Sequence, residues 1–316
     1  MNTSKNELGS KYLYLISQRL EYIELCAMEM RHIFGKTLSS NYHLTNDFID
    51  ISRSPFIKGR VSILYIEDSV KIIEEKMIRD NLFFDNYKIH FAKYDKVPYK
   101  TRLESMRTLG FTITGDFSFT APDIEFTLTK IEGKWIFGRL DKNPNTWINR
   151  RKKPYSYSHS LNVKIAKAVL NIAIDNNFEL KVIDPCCGIG TVITEGRAAG
   201  IDISGYEINP LVKQHCNINL KHFGFNPDVT KTNMLETTKH FDVAILDLPY
   251  GHTSVISQDE QIALIRKTKE ISDKSVIITM DDMSDIIQDV GLKIIDQCKI
   301  KKSNSFTRYV TVCIKK

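Results

Sequence analysis

Three acidic residues, Asp184, Glu207 and Asp247, each close an apolar run in the second half of the 316-residue sequence. In open α/β sheets, ligands bind beyond the carboxyl ends of the strands, so three such strands would direct their carboxylates into one crevice. Carboxylates accept hydrogen bonds from ribose hydroxyls and amino groups, and they can take up a proton. We therefore expect a nucleotide-type ligand beside these acids.

A glycine-containing loop follows the first acid. The stretch Lys181–Gly190, KVIDPCCGIG, is typical of a buried strand that ends at Asp184 and turns through Gly188 and Gly190. Glycines let the backbone approach a ligand closely, and the helix that follows offers unpaired N–H groups at its start. Ile193 stands where a dinucleotide fingerprint needs glycine or alanine, and no G-x-x-x-x-G-K-[ST] motif is present. A smaller adenosine-type ligand fits better, and S-adenosylmethionine is such a ligand.

The third acid begins the sequence Asp247-Leu248-Pro249-Tyr250. An amino group on a heteroaromatic base is a weak nucleophile, because its lone pair is delocalised into the ring. The Asp247 carboxylate and the Leu248 backbone carbonyl could accept both amino protons, which favours a pyramidal nitrogen that can attack. Pro249 stiffens the turn, Tyr250 offers a ring on which the base stacks, and Asp247 could take the released proton. The alternative is a surface turn with a structural tyrosine.

The second half alternates between helical and strand patterns, which predicts an α/β domain with a mostly parallel, doubly wound, seven-stranded sheet. The last two strands lack an intervening helix and should form an antiparallel hairpin. The predicted helices are 161–174, 191–199, 210–223, 258–271 and 283–290, and the predicted strands end at 184, 207, 234, 247, 279, 301 and 314.

The first half has an α+β pattern. Its predicted helices are 20–34, 70–84 and 102–109, and its predicted strands are 12–17, 48–51, 61–66, 88–92 and a hairpin of 125–130 with 134–140. The stretch 141–160 has the composition of a linker. We therefore expect an N-terminal region over 1–145, a linker over 146–160 and a catalytic domain over 161–316.

The net charge of +6 lies in the first half of the chain. Residues 1–153 contain 25 Lys and Arg against 19 Asp and Glu, whereas the remainder contains 19 of each. A basic module joined to a neutral nucleotide-type module suggests a polyanionic substrate. The candidate RNA contacts are Arg53, Lys58 and Arg60 in one loop and Arg150, Arg151, Lys152 and Lys153 in the linker. The alternative in both places is a solvated surface segment.

Six cysteines show no C-x-x-C pair and no zinc-type Cys/His spacing, so neither a metal site nor disulfides are expected. The sequence has no apolar run of eighteen residues and no secretory signal pattern. We expect a cytoplasmic protein without a membrane partner.

These motifs carry a family resemblance. The sequence DPCCGIGT, then EIN and then DLPYG, resembles the Trm11-type class I methyltransferases, which are tRNA guanine-N2 methyltransferases with an N-terminal THUMP region. The resemblance covers 154–316 closely; PDIEF at 122–126 and ISRSPFIK at 51–58 are similar to parts of the N-terminal region. It implies a Rossmann-like domain, S-adenosylmethionine as cofactor and tRNA as partner, and it is compatible with a small activating subunit.

The resemblance also implies roles for individual residues. The target guanine would be held by Asp247, Leu248, Pro249 and Tyr250. The cofactor would be held by Asp184, Cys186, Gly188, Gly190, Thr191, Glu207, Ile208, Asn233, Met234 and Asp247, with the adenine near Asn233 and Met234.

Two other functions fit the same residues. One is amino methylation of ribosomal RNA guanine or of DNA adenine or cytosine, because this motif serves any planar amino group. A basic first half without a DNA-reading helix favours RNA. The other is a non-catalytic RNA-binding protein, which three acids beside a polyanion disfavour.

Overall fold

The computed structural model describes residues 11–17, 19–157, 160–249, 256–303 and 306–316, and these residues form two compact units. Unit 1 contains residues 11–17, 40–52 and 57–144, and unit 2 contains the described residues of 19–39, 53–56 and 145–316. The segments 19–39 and 53–56 of the first half of the chain therefore belong to the same unit as the second half.

Unit 1 is a six-stranded sheet with two helices. Its elements are β1 (Tyr12–Ile16), β2 (Tyr42–Thr45), β3 (Ile57–Glu67), α2 (Val70–Arg79), β4 (Tyr87–Ala92), α3 (Tyr99–Thr112), β5 (Ile124–Ile131) and β6 (Lys134–Lys142). The strand order is β2-β1-β3-β6-β5-β4, with β4 parallel to β5 and the other described neighbours antiparallel. Buried residues of α2 and α3 pack with aromatic residues of β5 and β6 in one core cluster.

Local signals explain much of unit 1. The predicted hairpin is confirmed, because Glu132 and Gly133 both have positive φ, as a tight turn between β5 and β6 requires. The strand predicted at 48–51 is wrong. That stretch leads into a short 3₁₀ helix, and Tyr42–Thr45 pairs with β1 instead. The Arg60 guanidinium carbon lies 4.0 Å from the ring centroid of Phe48. The Phe48 ring therefore makes a cation–π contact and is not part of a strand.

Unit 2 contains a seven-stranded sheet flanked by helices. Its elements are α1 (Ile23–Phe34), α4 (Val163–Ile174), β7 (Val182–Asp184), α5 (Thr191–Ala198), β8 (Ile203–Glu207), α6 (Pro210–His222), β9 (Thr230–Lys231), β10 (Phe241–Asp247), α7 (Gln258–Ile271), β11 (Ser272–Thr279), α8 (Ser284–Asp289), β12 (Leu292–Ser303) and β13 (Phe306–Lys315).

The strand order in unit 2 is β12-β13-β11-β10-β7-β8-β9. Strands β7 to β11 are parallel, while β13 is antiparallel to both β11 and β12. This topology confirms the predicted α/β fold, with its mostly parallel seven-stranded sheet and C-terminal hairpin. The chain leaves β7 towards β8 on one side and has β10 on the other, so the ligand crevice of such a fold lies at the carboxyl ends of β7 and β10.

Helix α4 forms the centre of one helical layer. Nearly all of its residues are buried, because α1 and α5 pack against it in addition to the sheet. The Asn162 side chain accepts a hydrogen bond from the Lys164 backbone N–H at its start, 2.8 Å away, which satisfies one of the open donors of the first turn.

Two predictions for the second half need correction. The strand predicted over 228–234 is reduced to Thr230–Lys231, and Asn233 instead caps a 3₁₀ helix, Met234–Glu236. The stretch 146–151 is not a solvated linker. It forms a 3₁₀ helix within unit 2, since Trp147, which is 4% exposed, gains more from burial than from solvent. Within the described ranges, no helix is long and apolar enough to cross a membrane.

Candidate active site

The glycine loop joins β7 to α5. Gly188 and Gly190 have φ angles of 54° and 79°, in the left-handed region that favours glycine. A Cβ at Gly190 would lie 2.4 Å from the Cys216 sulfur, so this glycine is needed for packing. A Cβ at Gly188 would meet no described atom within 4 Å, so the loop leaves open space there. Backbone at Gly188 can therefore approach a ligand.

Glu207 ties the end of β8 to this loop. Its Oε2 accepts a hydrogen bond from the Gly188 N–H at 3.0 Å, and its Oε1 accepts one from the Asn209 N–H at 2.8 Å. Burial raises the pKa of Glu207, and these N–H donors oppose that rise. The Ile208 N–H also hydrogen-bonds this carboxylate, and a further lone pair remains for a ligand hydroxyl. The next residue, Ile208, is 62% exposed and offers an apolar surface beside it.

Asp184 and Asp247 close β7 and β10, which are neighbouring parallel strands. Burial and the charge of Asp247 raise the pKa of Asp184 well above its ordinary value. Burial raises the pKa of Asp247 to about 7, although Arg308 opposes that rise. Within the described part of the chain, Oδ1 of both residues is buried without a hydrogen-bond partner. A cationic ligand with hydrogen-bond donors would complement this pair.

The turn after Asp247 is anchored to the neighbouring strand. Leu248 is buried, and its N–H donates to the Ile278 carbonyl of β11 over 3.0 Å. Asp247 and Pro249, at the carboxyl end of β10, are both half-buried. Tyr250 lies outside the described residues, so its stacking role stays a prediction.

The residues predicted beside the adenine lie between β9 and β10. The Asn233 Oδ1 accepts from the Leu235 N–H at 3.1 Å, so one of its lone pairs is already used by the helix cap. Met234 is buried, and its sulfur lies 3.6 Å from the sulfur of the half-buried Cys186. Met234 and Cys186 therefore pack against each other through their polarisable sulfur atoms.

The predicted RNA contacts fall into two groups. The first group consists of cations that are held by internal partners, beginning with Arg150 and Arg53. The Arg150 guanidinium makes two hydrogen bonds to buried Glu195, at 2.5 and 2.7 Å, and Arg53 donates to Asn171 and Asn176 at 3.0 and 2.6 Å. These charges stabilise the fold of unit 2, and an RNA phosphate would have to displace those partners.

The same holds for two further cations. Lys153 Nζ donates to Thr191 Oγ1 at 2.6 Å, and burial lowers the pKa of Lys153 to about 8. In unit 1, Arg60 pairs with Asp141 at 2.7 Å. The prediction of an RNA contact is therefore kept for the exposed side chains of Lys58, Arg151 and Lys152. The Thr191 hydroxyl, predicted to contact the cofactor, therefore already accepts one hydrogen bond from Lys153.

Arg308 was missed by the sequence reasoning. It lies on β13, is 5% exposed and acts on the pKa of Asp247. The signal that could have found it is an arginine within the otherwise apolar pattern of a central strand, because such a charge is rarely buried without a role.

Comparisons with known proteins find methyltransferases among the proteins to which this chain is similar. No protein-family model matches it. The curated tRNA (guanine(10)-N2)-dimethyltransferase of Methanothermobacter thermautotrophicus is 23% identical over 285 residues, which are 81% of this chain and 82% of that protein. Among solved structures, TrmN from Thermus thermophilus is 12% identical, has a TM-score of 0.47, and matches over 96% of this chain and 99% of its own.

A second solved structure matches one half only. Magnesium protoporphyrin IX methyltransferase, ChlM, from Synechocystis with bound S-adenosylmethionine is 16% identical, with a TM-score of 0.42. The match covers 54% of this chain and 92% of that chain.

Proposed function

We propose that this chain is an S-adenosylmethionine-dependent methyltransferase of the Trm11-type class I group and that it methylates the N2 amino group of guanine in tRNA. The curated relative, named tRNA (guanine(10)-N2)-dimethyltransferase, supports this proposal. The observation that carries the proposal is the position of Asp247. It closes β10 beside Asp184 and begins the Asp-Leu-Pro turn, where a planar amino group could meet two fixed acceptors.

S-adenosylmethionine supplies, when bound, a methyl group on a positively charged sulfur. The residues of the crevice fit such a group, because two desolvated carboxyls attract a cation and the space above Gly188 is open. Glu207 would accept from the ribose hydroxyls, and Asp184 would accept from a donor at the methionine end. Asn233 and Met234 would lie along the adenine.

The chemical step uses the Asp247 turn. The Asp247 carboxylate and the Leu248 carbonyl accept the two N–H groups of the guanine amino group, which localises the nitrogen lone pair. A carbon–nitrogen bond forms while the carbon–sulfur bond breaks. The surplus proton on nitrogen passes to Asp247 and then to solvent, and a carboxyl with a pKa near 7 suits both steps. The anchored Leu248 N–H keeps the two acceptors in fixed relation.

Two features support RNA as the substrate. The excess of basic residues lies in residues 1–153, and the curated relative acts on tRNA according to its name. We propose that residues 1–145, apart from the segments 19–39 and 53–56 that belong to unit 2, form a THUMP-like RNA-binding region. We further propose that 161–316 form the catalytic domain and that the enzyme works on cytoplasmic tRNA. Lys58 is an exposed cation of that first region.

The test is transfer of labelled methyl from S-adenosylmethionine to total unmodified tRNA, followed by nucleoside analysis. We expect the label in N2-methylguanosine. Label in ribosomal RNA or in DNA adenine or cytosine, with none in tRNA, would transfer the proposal to those substrates. Cofactor binding by calorimetry without any transfer would indicate a binding protein.

A further inference from the structure

Three basic side chains from distant parts of the sequence converge around Tyr22 in unit 2. Arg19 precedes the short helix that contains Tyr22, Arg151 ends the 3₁₀ helix after residue 145, and Lys164 lies in the first turn of α4. The 3₁₀ helix that ends at Arg151 contacts α4, the Tyr22 N–H donates to the Arg19 carbonyl, and Lys164 lies over the Tyr22 ring, so the three residues are neighbours. In agreement, both arginines affect the pKa values of Tyr22 and Lys164. We call Arg19, Arg151 and Lys164 the basic cluster.

Aromatic rings anchor the cluster. Lys164 Nζ lies 5.0 Å from the ring centroid of Tyr22 and 5.0 Å from that of Phe56, and the Arg151 guanidinium carbon lies 4.9 Å from the ring of Trp147. These contacts hold the charged ends of Lys164 and Arg151 against aromatic rings, which restricts the positions of the two cations. Arg19 and Arg151 are exposed, and Lys164 is half-buried.

The electrostatics of the cluster are unfavourable for the isolated protein. Burial, followed by the charges of Arg19 and Arg151, lowers the pKa of Lys164. The start of a helix also carries partial positive charge, and the first turn of α4 contains no acidic residue. Within the described part of the chain, Glu21 is the carboxylate that affects the pKa values of both Tyr22 and Lys164, and the Cys26 thiol also affects that of Lys164. One carboxylate beside three cations leaves a site that an anion would complete.

The cluster lies towards the carboxyl edge of the sheet that carries Asp247. Asp247 pairs with Ile278, which pairs with Val310, so these three side chains share one face. Arg308 precedes Val310 by two residues and lies on that face, two strands from Asp247, or about 10 Å across. Arg308 acts on the pKa of both Asp247 and Tyr22. The geometry agrees, because Lys299 pairs with Tyr309 and its N–H donates to Glu24 at the start of α1, over 2.8 Å. The segment that contains Tyr22 therefore lies at the Arg308 end of β13.

We propose that Arg19, Arg151 and Lys164 bind backbone phosphates of the RNA strand next to the nucleotide whose base enters the Asp247 turn. This inference rests on the proposed function and adds a second RNA contact, on the catalytic unit itself. Phosphate contacts set the register and orientation of a nucleic acid, while the base is read elsewhere. Three cations on separate segments suit an extended polyanion better than one small anion.

The test compares two triple variants with the same change in charge. Arg19→Gln/Arg151→Gln/Lys164→Gln removes the cluster, and Lys221→Gln/Lys239→Gln/Arg266→Gln removes three exposed cations elsewhere in unit 2. Binding of unmodified tRNA is measured over a range of salt concentrations. We expect the cluster variant to raise the Kd roughly tenfold or more and to reduce the salt slope by about 2 to 3, since each phosphate contact contributes about 0.7 to 0.9. The control should change the slope by less than about 1.

Two further measurements separate binding from folding. The Kd for S-adenosylmethionine should stay within about twofold in all variants, because the cluster does not touch the glycine loop. The charge-conserving variant Arg19→Lys/Arg151→Lys/Lys164→Arg should bind tRNA nearly as well as the wild type. If the Gln triple variant also loses cofactor binding, the charge-conserving triple variant is used for the decision. A loss of tRNA binding by that charge-conserving variant overturns the phosphate site.

The inference and the proposed function can fail separately. Equal weakening by both Gln triples, or no weakening by either, overturns the phosphate site even if N2-methylguanosine is formed. If the wild type methylates DNA and not tRNA, the proposed function fails, and the same variants with DNA decide the phosphate site. A wild type that binds neither nucleic acid overturns both.

Discussion

Buried carboxyl groups in unit 2 occur in two regions that treat them in opposite ways. In the helical layer, Glu195 accepts two hydrogen bonds from Arg150 and lies 4.0 Å from Lys167, and Glu29 accepts from Ser54 and Asn171 at 2.5 and 2.6 Å. At the carboxyl edge of the sheet, Asp184 and Asp247 each keep a buried oxygen without a partner in the described chain.

This difference separates structural acids from candidate functional ones. A buried polar group whose hydrogen bonds are satisfied helps to specify a unique fold. A buried polar group without a hydrogen-bond partner lowers the free energy of unfolding. Desolvated acids that repel each other are retained where a ligand satisfies them. The Arg150–Glu195 pair is of the structural kind. Arg150 lies in a basic run of the sequence, but its guanidinium is paired with the buried Glu195 carboxylate.

The largest effect is expected when an edge acid is changed. Asp247→Asn keeps the shape but removes the anionic acceptor and the base, so kcat should fall by about 10² to 10⁴-fold. The Kd for S-adenosylmethionine, measured by calorimetry, should stay within a few fold. A variant that keeps most of its kcat would show that Asp247 resembles Glu29 and is structural.

The next largest effect is expected when a helical-layer acid is removed. Glu195→Ala leaves the Arg150 guanidinium partly buried without its carboxylate, which should lower the free energy of unfolding by about 3 to 5 kcal/mol. Urea unfolding measures this loss. Adding Arg150→Met to Glu195→Ala should recover part of it, because the Arg150 charge is then no longer left without its carboxylate. The absence of any recovery would contradict the assignment of this pair.

A pH-dependent gain in stability is expected for Asp247→Asn. The pKa of Asp247 is about 7 in the folded chain, above its unfolded value near 4, so the folded state binds the extra proton between these pH values. The wild type therefore loses stability as the pH rises through this window, and the amide does not. The variant should be about as stable as the wild type at pH 4 and more stable by roughly 1 to 3 kcal/mol at pH 8. Asp202→Asn, an exposed acid, serves as the control and should show no such difference.

The smallest effect is expected for Glu29→Gln. The glutamine oxygen can accept from Asn171, and its NH₂ can donate to the Ser54 hydroxyl, so the network survives. Near pH 7 the free energy of unfolding should change by less than about 1 kcal/mol. Urea unfolding decides, and a loss as large as that of Glu195→Ala would show that the charge of Glu29 itself is required.

Local pattern predicted most of the unit 2 fold. The glycine loop, the start of α5 at Thr191 and the hairpin at the end of the chain follow from neighbouring residues, which is why they were found. The strand at Tyr42–Thr45 was missed, because four residues with little alternation become a strand only through pairing with β1. The strand over 228–234 was overextended for the same reason, since its length is set by β8.

The sequence by itself determined that three strand ends carry acids and that a glycine loop and an Asp-Leu-Pro turn follow two of them. These features depend on residue order, strand periodicity and glycine backbone conformations, which are local. Only the tertiary structure decided which charges remain available. Arg150 lies 45 residues from Glu195 and Arg53 lies 118 from Asn171, while Arg19, Arg151 and Lys164 meet around one tyrosine. The strength of a charge pair depends on the distance between the two groups in space, which is a few ångströms here. The number of residues between them in the sequence does not reveal that distance.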